Sequence, residues 1–485
     1  MALRGSSWVC VALLFMVACG RQSRRVIDDY VTPTGGAATN GNVAGGSPAG
    51  GSKGSGIADA QPLSDPGPCW TQAEAGQAPV ADVTLPATAA KLLVAEGGEA
   101  LVYVFGWGVP AAWRRHAGIW DEGPSSFPDV EWLPAAALGA DGVAQMIRKI
   151  PSSTQLYVDE LYAMSVSPDG TASDSVLIGD SGIGWWQEAY GATPVLRSNA
   201  NGQALVAWAR LDQEVPDWPM SLWVNQADLH QPWPPARPLD PIARVGTSTP
   251  AVVLWDDGRE WVAWATYDLG VYQLWLASGD NGTWTAPTLV SGAEENLRYG
   301  AIGSSLGLVV ADDGTIIVTY ERETVDGNAF VARESTDGVH WGDPQELALG
   351  QNVIGINFTS SAGGGIFAEW DYWPPPGEPL DTAIYFPGRG WTEPVAFADG
   401  AQSGATVAIH SDGRAAIAYL GAKTDGSELC HPGVVVRRYA PDLGWSPAES
   451  VDTTGTEVEG LGYSGSDLIV AWVGQGQEVY AKVLR

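Results

Sequence analysis

Acidic side chains stand beside tryptophans and tyrosines in four separate segments of the chain. The segments contain Arg210, Asp212 and Trp218; Tyr267 and Asp268; Glu321, Arg322 and Glu323; and Asp371, Tyr372 and Trp373. Aromatic rings stack on the C–H faces of sugars, and carboxylates accept hydrogen bonds from sugar hydroxyl groups. The pattern therefore favours a binding face for a glycan or a protein ligand.

The same carboxylates would suit two other chemistries. Oxygen ligands of this kind bind Ca²⁺, and two carboxylates about 5 Å or about 6.5–9.5 Å apart could hydrolyse a glycosidic bond. The pairs to compare are Asp212 with Asp371 and Asp268 with Glu321. A solvated acidic rim is the plainer alternative for each residue. No cofactor or metal is expected, with Ca²⁺ kept as an alternative.

Composition and motifs exclude several function classes. The chain of 485 residues has 25 basic and 56 acidic side chains, and its formal charge of −31 opposes binding to nucleic-acid phosphates. There is no GXSXG elbow and no GXXXXGK[ST] loop, and the five histidines form no HXH or HEXXH pair. The apolar fraction of 45% is nevertheless sufficient for a folded core.

A repeat of about 52 residues fills the chain after its N-terminal region. Each unit contains an apolar run, a tight turn, a second run with an aromatic residue, a loop, an alternating run and a turn with Trp. The clearest copy spans 251–284, where Asp257-Gly258 favours a hairpin. The first turns are predicted at Gly98, Ser152, Gly202, Gly258, Gly314, Gly364, Gly413 and Gly465.

An aromatic residue follows most of these turns after about six positions. The predicted second-strand aromatics are Tyr103, Tyr157, Trp208, Trp264, Tyr320, Trp370, Tyr419 and Trp472. Repeated units of four short strands are typical of β-propeller blades. The sequence predicts an all-β propeller of eight four-stranded blades over 67–485, or of seven if the weak unit at 143–178 is not a blade. The last unit has three evident strands, so a strand at 80–85 is expected to complete it and close the ring.

The segment 335–341, Ser-Thr-Asp-Gly-Val-His-Trp, resembles the Asp-box of bacterial-neuraminidase-type repeats. Looser copies lie at 278–284 and 167–170. The resemblance implies a sialidase-like propeller in which the box is a structural turn between the third and fourth strands of a blade. Sialidases also need an Arg-Ile-Pro motif, and the nearest string here, Ile-Arg-Lys-Ile-Pro at 147–151, departs from it. The resemblance therefore indicates fold and not activity.

The N-terminus resembles that of a bacterial lipoprotein. An apolar run at 9–17 is shorter than the ~20 residues of a membrane span and matches a signal-peptide core. Met16-Val17-Ala18-Cys19-Gly20 resembles a lipobox, so residues 1–18 would be removed and Cys19 acylated; an ordinary secretory signal is the alternative. Residues 19–66 then form a Gly/Ala/Ser-rich tether. The expected location is the cell envelope, at the outer membrane.

Two cysteines, Cys69 and Cys430, remain once the signal peptide has been removed and Cys19 has been lipidated. In an exported protein they could form a disulfide, or stay as two thiols. The function expected from the sequence is that of a monomeric, membrane-anchored recognition module. A glycoside hydrolase of sialidase-like type and a structural scaffold are the alternatives.

Overall fold

The computed structural model describes most of the chain from residue 81 onwards. The described ranges are 81–86, 89–95, 98–105, 111–121, 125–126, 135–154, 158–183, 193–211, 219–228, 231–247, 249–268, 271–292, 295, 297, 306–311, 313–324, 327–350, 353–361, 364–372, 380–397, 405–421, 424–425, 428–429, 433–474 and 478–485. The predicted signal, lipidation site and tether lie outside them. Within these ranges the secondary structure consists of strands and turns without a helix, which confirms the all-β prediction.

The strands of the first half are β1 (Val83–Pro86), β2 (Ala89–Val94), β3 (Ala100–Phe105), β4 (Ala111–His116), β5 (Ile119–Trp120), β6 (Ser125–Ser126), β7 (Ala135–Leu138), β8 (Ala144–Pro151), β9 (Val158–Val166), β10 (Val176–Ile183), β11 (Val195–Ser198), β12 (Gln203–Leu211), β13 (Pro219–Asp228), β14 (Arg237–Thr247), β15 (Ala251–Leu254), β16 (Arg259–Asp268), β17 (Val271–Asp280), β18 (Thr283–Trp284) and β19 (Thr288–Leu289). Those of the second half are β20 (Gly307–Val310), β21 (Ile316–Thr324), β22 (Gly327–Ser335), β23 (Gln345–Gly350), β24 (Val353–Ser360), β25 (Ile366–Tyr372), β26 (Leu380–Phe386), β27 (Gly390–Trp391), β28 (Val395–Phe397), β29 (Thr406–Ile409), β30 (Ala415–Gly421), β31 (Thr424–Asp425), β32 (Glu428–Leu429), β33 (Gly433–Ala440), β34 (Gly444–Trp445), β35 (Glu449–Asp452), β36 (Gly455–Ser464), β37 (Asp467–Gly474) and β38 (Glu478–Leu484).

Strands that follow each other in the chain pair antiparallel as meanders. The meanders are β2–β6, β7–β10, β11–β14, β15–β19, β20–β23, β24–β28, β29–β35 and β36–β38, the last completed by β1. The pairs β10–β12 and β14–β16 join the second, third and fourth meanders into one larger sheet, and β31–β32 form a separate small hairpin.

The first strands of the meanders contact one another in a cycle. Strand β2 contacts β7, β7 contacts β11, β11 contacts β15 and β15 contacts β20. On the other side β24 contacts β29, β29 contacts β36 and β36 contacts β2. Between β20 and β24, Gly307 lies directly against the Phe358 ring. This cyclic stacking of short antiparallel sheets is the β-propeller architecture.

The two ends of the described chain meet in one sheet. Strand β1 pairs antiparallel with β38, with Val83 opposite Ala481. The Asp82 N–H donates to the Ala481 carbonyl at 2.9 Å, and the Asp82 carboxylate accepts from the Val483 N–H at 2.7 Å. The strand expected at 80–85 therefore pairs as predicted, over Val83–Pro86.

The first and last sheets also pack tightly face to face. A Cβ at Gly460 would lie 2.6 Å from Leu92, and one at Gly462 2.5 Å from Val94, so only glycine allows this approach of β36 to β2. Arg115 on β4 is buried; it donates to the Ser464 hydroxyl at 3.1 Å and forms an ion pair with Asp467.

The predicted second-strand aromatics form the core between sheets. Tyr157 lies outside the described ranges. The others are all 2% exposed or less: Tyr103, Trp208, Trp264, Tyr320, Trp370, Tyr419 and Trp472. The polar atoms of several of these rings form hydrogen bonds with the outer strand of the preceding sheet or with the loop after it. Trp472, for example, donates its indole N–H to Asp452 at 2.7 Å. The sequence markers of this strand are thus confirmed as core residues.

One predicted turn was wrong. The first hairpin of the second meander lies at 139–143, where Gly142 has φ +76° and its N–H donates to the Gly139 carbonyl. Ser152 instead lies between β8 and β9, that is, after the second strand. The turn was missed because Met146 and Ile147, both fully buried on β8, fill the core where other meanders carry an aromatic residue.

We expect the Arg115 contacts to stabilise ring closure. Arg115→Leu should lower the free energy of unfolding by roughly 2–4 kcal/mol, because it leaves the carboxylate of Asp467 without its buried partner. Urea unfolding measures this change. The matched control is Arg259→Leu, which removes a half-exposed ion pair with Asp257 and should cost about 1 kcal/mol or less. Equal losses for both variants would contradict the closing role.

Candidate functional site

Arg210, a predicted site residue, lies near the end of β12, the second strand of its meander. Its Nε and Nη2 donate to the two carboxylate oxygens of Asp180, at 2.7 and 3.4 Å. Its guanidinium also lies 5.0 Å from the centre of the Trp223 ring. Asp180 belongs to β10 of the preceding meander, and its carbonyl accepts the Trp208 indole N–H at 3.0 Å. Arg210 therefore ties two neighbouring meanders together.

Arg322, a second predicted site residue, belongs to a network around Glu295. The Oε1 atom of Glu295 accepts from Arg322 Nη1 at 3.2 Å and from Arg333 Nη2 at 3.1 Å. The Oε2 atom accepts from the Gly292 N–H at 2.7 Å and from the Tyr320 hydroxyl at 3.0 Å. Both carboxylate oxygens are therefore occupied by donors of the chain itself.

The electrostatics of this network favour an ionised Glu295 and a protonated Tyr320. Burial opposes ionisation of Glu295, but the Gly292 N–H and the charge of Arg333 outweigh it and lower the pKa. Burial and the charge of Glu295 raise the pKa of the Tyr320 hydroxyl. Tyr320, Arg322 and Arg333 donate hydrogen bonds to Glu295 from β21 and β22, and Glu295 lies in the loop after β19. We therefore interpret the Tyr320–Glu295 pair as a structural contact between two meanders.

The other predicted residues differ in their placement. Glu321 is 4% exposed, between the buried Tyr320 and Arg322, whereas Glu323 is exposed. Tyr267 and Asp268 end β16, and Asp371 and Tyr372 end β25, but the structure does not describe these four side chains. The remaining residues lie outside the described ranges: Asp212, Trp218, Trp373, Cys19, Cys69 and Cys430.

A cavity of about 550 Å³ lies between the last two meanders. It is at the strand ends opposite to those that carry Arg210 and Arg322. We call it the cationic groove. Its walls include Arg414, Arg438, Tyr439, Trp445, Tyr463 and Asp467. They come from the first hairpin turn and the third strand of one meander and from the first hairpin of the next, so the groove exists only where the two meanders pack together.

The arginines of the cationic groove are held in place by neighbouring groups. Arg414 Nε donates to Asp412 at 2.8 Å, and its guanidinium lies 5.6 Å from the centre of the Tyr463 ring. Arg438 Nη2 donates to Glu449 at 2.9 Å, and its Nη1 donates to the Arg485 carbonyl at 3.1 Å. Each guanidinium thus retains further N–H groups for a ligand, because Arg has five donors in a fixed fork.

Apolar surface adjoins these cations. Leu443 is 88% exposed at the rim, and Trp445 packs edge-on against Tyr439 at 5.4 Å between ring centres. Burial raises the pKa of the Tyr463 hydroxyl to about 12, so that ring is a neutral wall at physiological pH. Guanidinium groups beside aromatic and aliphatic surface can bind a carboxylate and a sugar ring together.

Sequence reasoning missed this groove. Arg414 and Arg438 are separated by 24 positions, and Tyr463 comes from the next repeat. The available signal was Arg437-Arg438-Tyr439 shortly before the repeat marker Trp445, a local excess of positive charge in an acidic chain.

The Asp-box segment is a structural turn, as its resemblance implied. It lies between β22 and β23, the third and fourth strands of their meander. The Asp337 carboxylate accepts from the Val339 and His340 N–H groups, each at 2.8 Å, and the Ser335 hydroxyl accepts from the Gly338 N–H at 2.9 Å. The hydrogen bonds from His340 and Val339 lower the pKa of Asp337.

The described ranges contain no group of three or more His, Cys, Asp or Glu side chains arranged to hold a metal ion. Nor do they contain a helix with the length and apolar character of a membrane span. Calcium binding stays a prediction.

No family model and no curated protein matches the chain. Similar solved structures include the polysaccharide lyase Uly1 (10% identity, 75% of this chain and 90% of that chain, TM-score 0.43) and the NanB sialidase of Streptococcus pneumoniae (9%, 83% and 92%, TM-score 0.37). Another is the α-L-arabinanase of Penicillium chrysogenum (12%, 61% and 94%, TM-score 0.37). These scores are too low to transfer an activity, so function has to be inferred from the residues of this chain.

A buried carboxyl outside the groove has a strongly shifted pKa. Glu260 on β16 is fully buried; its Oε1 accepts the Gly282 N–H at 2.9 Å, and Oε2 has no hydrogen-bond partner in the described part of the chain. Burial raises the pKa of Glu260 to about 7 against the partial opposition of the Gly282 N–H and Arg237. Arg237 in turn donates to the Gly282 carbonyl. Carboxyl groups with a shifted pKa are often functional, but Glu260 is buried in the core.

The Glu260 shift predicts a pH-dependent stability. The folded pKa exceeds the ordinary value of 4.5, so the native state binds more protons and its stability falls as the pH rises from about 4.5 to beyond 7. Glu260→Gln keeps the acceptor for Gly282 but cannot ionise. In urea unfolding it should match the wild type near pH 4.5 and exceed it by roughly 2–3 kcal/mol near pH 8.5. The exposed control Glu393→Gln should follow the wild type; a Glu260→Gln profile parallel to the wild type would contradict the assignment.

Proposed function

We propose that this protein is a lipid-anchored recognition module that binds an acidic glycan in the cationic groove. The observation that carries the proposal is the juxtaposition of Arg414 and Arg438 with Trp445 and Tyr463 in a cavity of about 550 Å³. Each of these arginines forms an ion pair, Arg414 with Asp412 and Arg438 with Glu449, and keeps further N–H donors beside aromatic surface. This arrangement of donors and rings suits a sugar ring that carries a carboxylate or sulfate group.

The charged groups near the ends of the second strands are paired with one another, and this pairing favours binding over hydrolysis. Arg210 is neutralised by Asp180, and Arg322 by Glu295 and Glu346. A retaining or inverting hydrolase needs one carboxylic acid and one carboxylate facing a shared space. Within the described ranges these carboxylates instead face arginines of neighbouring strands.

The architecture proposed for this module is an eight-bladed propeller. The cyclic contacts of the first strands support this count, with the second blade at β7–β10 and the last completed by β1. We also keep the Cys69–Cys430 disulfide as a proposal. It would fix the segment before β1 to the blade that contributes Arg414 and Arg438.

The binding proposal predicts a loss of affinity on removal of one groove arginine. Residues 60–485, which form a single compact unit, would be screened on an array of acidic and neutral oligosaccharides, and the best ligand titrated calorimetrically. Arg414→Gln should weaken binding about tenfold or more, because a charge-assisted hydrogen bond contributes roughly 1.5–3 kcal/mol.

Arg259→Gln is the matched control. Arg259 occupies the same hairpin position in another meander and forms the same ion pair, with Asp257 at 2.7 Å, but lies away from the groove. Its affinity should stay within about twofold of the wild type. Equal weakening by both variants, or binding confined to neutral sugars, would refute the groove assignment. Release of reducing sugar would favour the hydrolase instead, and no binding at all the scaffold.

Membrane anchoring makes a separate prediction. Cys19→Ser removes the sulfur that would carry the lipid, so the protein should move from the membrane fraction to the soluble fraction when expressed in a bacterium with an outer membrane. Fractionation and labelling with a palmitate analogue measure this change. Membrane association that is unaltered by Cys19→Ser would contradict the lipobox interpretation.

A further inference from the structure

The hairpin loop between β17 and β18 consists of Asn281 and Gly282, in one of the looser copies of the Asp-box. Asp280 pairs with Thr283 across the loop, and the two loop residues have φ +45° and +78°, as a type I′ turn requires. Asn281 is exposed. An asparagine that precedes glycine can react with its own backbone, because no Cβ of the next residue hinders the approach of the glycine nitrogen to the side-chain amide.

Charged side chains hold Gly282 on both sides. Its N–H donates to Oε1 of Glu260 at 2.9 Å, and its carbonyl accepts from Nη2 of Arg237. Glu260 is fully buried on β16, and Arg237 reaches the loop from β14 of the preceding meander. A carboxylate can remove a proton from a group within about 2.6–3.2 Å. Glu260 is therefore placed to deprotonate the Gly282 nitrogen.

The side-chain amide of Asn281 also has neighbours that would assist such a reaction. Its Nδ2 donates to Oδ1 of Asp280 at 2.8 Å, and its Oδ1 lies 3.5 Å from Nε2 of Gln203 in the preceding meander. An N–H group beside the amide oxygen stabilises the negative charge that develops there when a nucleophile attacks Cγ. The backbone N–H of Asn281 donates to the Gly258 carbonyl at 3.2 Å.

We propose that Asn281-Gly282 is a site of spontaneous deamidation and that Glu260 is its general base. The Gly282 N–H proton moves to Oε1 of Glu260 as the Gly282 nitrogen forms a bond to Cγ of Asn281. The Cγ–Nδ2 bond then breaks, and Nδ2 leaves as ammonia with the proton that Glu260 returns. Water opens the resulting cyclic imide and leaves aspartate or isoaspartate at this position. The reaction does not depend on ligand binding in the cationic groove.

A second pair, Asn201-Gly202, is a matched control in the same chain. It also lies in a hairpin turn, with Asn201 exposed and Gly202 at φ +77°. The Gly202 N–H, however, donates to the Asn199 carbonyl at 3.3 Å, and a carbonyl oxygen does not take up a proton at neutral pH. Deamidation at Asn201 should therefore depend on hydroxide. The third Asn-Gly pair of the sequence, Asn40-Gly41, lies outside the described ranges.

The two mechanisms differ in their dependence on pH. Burial raises the pKa of Glu260 to about 7, against the Gly282 N–H and the charge of Arg237 and together with the charge of Asp280. The rate at Asn281 should rise while Glu260 ionises and level off above about pH 7, since a general base acts only when deprotonated. The rate at Asn201 should continue to rise in proportion to the hydroxide concentration.

The test follows deamidation of the full chain by mass spectrometry of its peptides, with isoaspartate detected by enzymatic methylation. Wild type, Glu260→Gln and the exposed control Glu393→Gln are incubated from about pH 5.5 to about pH 9. Near pH 7.5, Glu260→Gln should slow the reaction at Asn281 at least tenfold and leave Asn201 unchanged. Glu393→Gln should match the wild type at both sites.

The wild-type pH profile tests the proposal without any substitution. A rate at Asn281 that follows hydroxide without levelling off would overturn it, as would an Asn281 that stays intact while Asn201 reacts. Equal or faster deamidation of Asn281 in Glu260→Gln would also overturn it, because the hydrogen bond from Gly282 to Glu260 would then protect the turn.

Discussion

Closure of the ring between its first and last sheets is the constraint on which the rest of the structure depends. Each sheet buries both faces against neighbours, so a ring open at one junction would expose two apolar faces to water. The junction is formed by parts of the chain some 400 positions apart, as in the pair Val83–Ala481. Such a contact costs loop entropy before it adds packing. Arg115, Gly460 and Gly462 are the residues that allow this junction to close tightly.

Polar groups between sheets serve two different purposes. Where donor and acceptor match, as in Trp472 with Asp452 or Tyr320 with Glu295, they join neighbouring sheets without leaving a charge unpaired. Where a guanidinium keeps donors beyond its ion pair and borders a cavity, as Arg414 does beside Asp412, those donors are available to a ligand. This difference separates structural residues from ligand-binding candidates in a chain where residue type alone does not.

The repeat, the core aromatics and the terminal strand could be predicted from sequence because each depends on local pattern. An Asp-Gly turn such as Asp257-Gly258 predicts a hairpin, and the aromatic residue that follows it predicts the buried second strand. The candidate site could not be predicted in this way. Glu321 is buried beside Tyr320 because both faces of a second strand are covered in a stack of sheets, which breaks the usual alternation. Arg414 and Tyr463 meet only across a junction that no local pattern specifies.

The charge of the whole molecule bears on how an acidic ligand could bind to it. A net charge of −31 repels anions at long range, but at physiological ionic strength this field decays over about 8 Å. Within that distance the ligand meets the N–H donors that Arg414 and Arg438 keep beyond their ion pairs, rather than the average surface. Overall repulsion should therefore slow association and disfavour non-specific anions, while the affinity of a ligand that reaches the groove is determined by its direct contacts. Acidic composition and an anionic ligand are thus compatible.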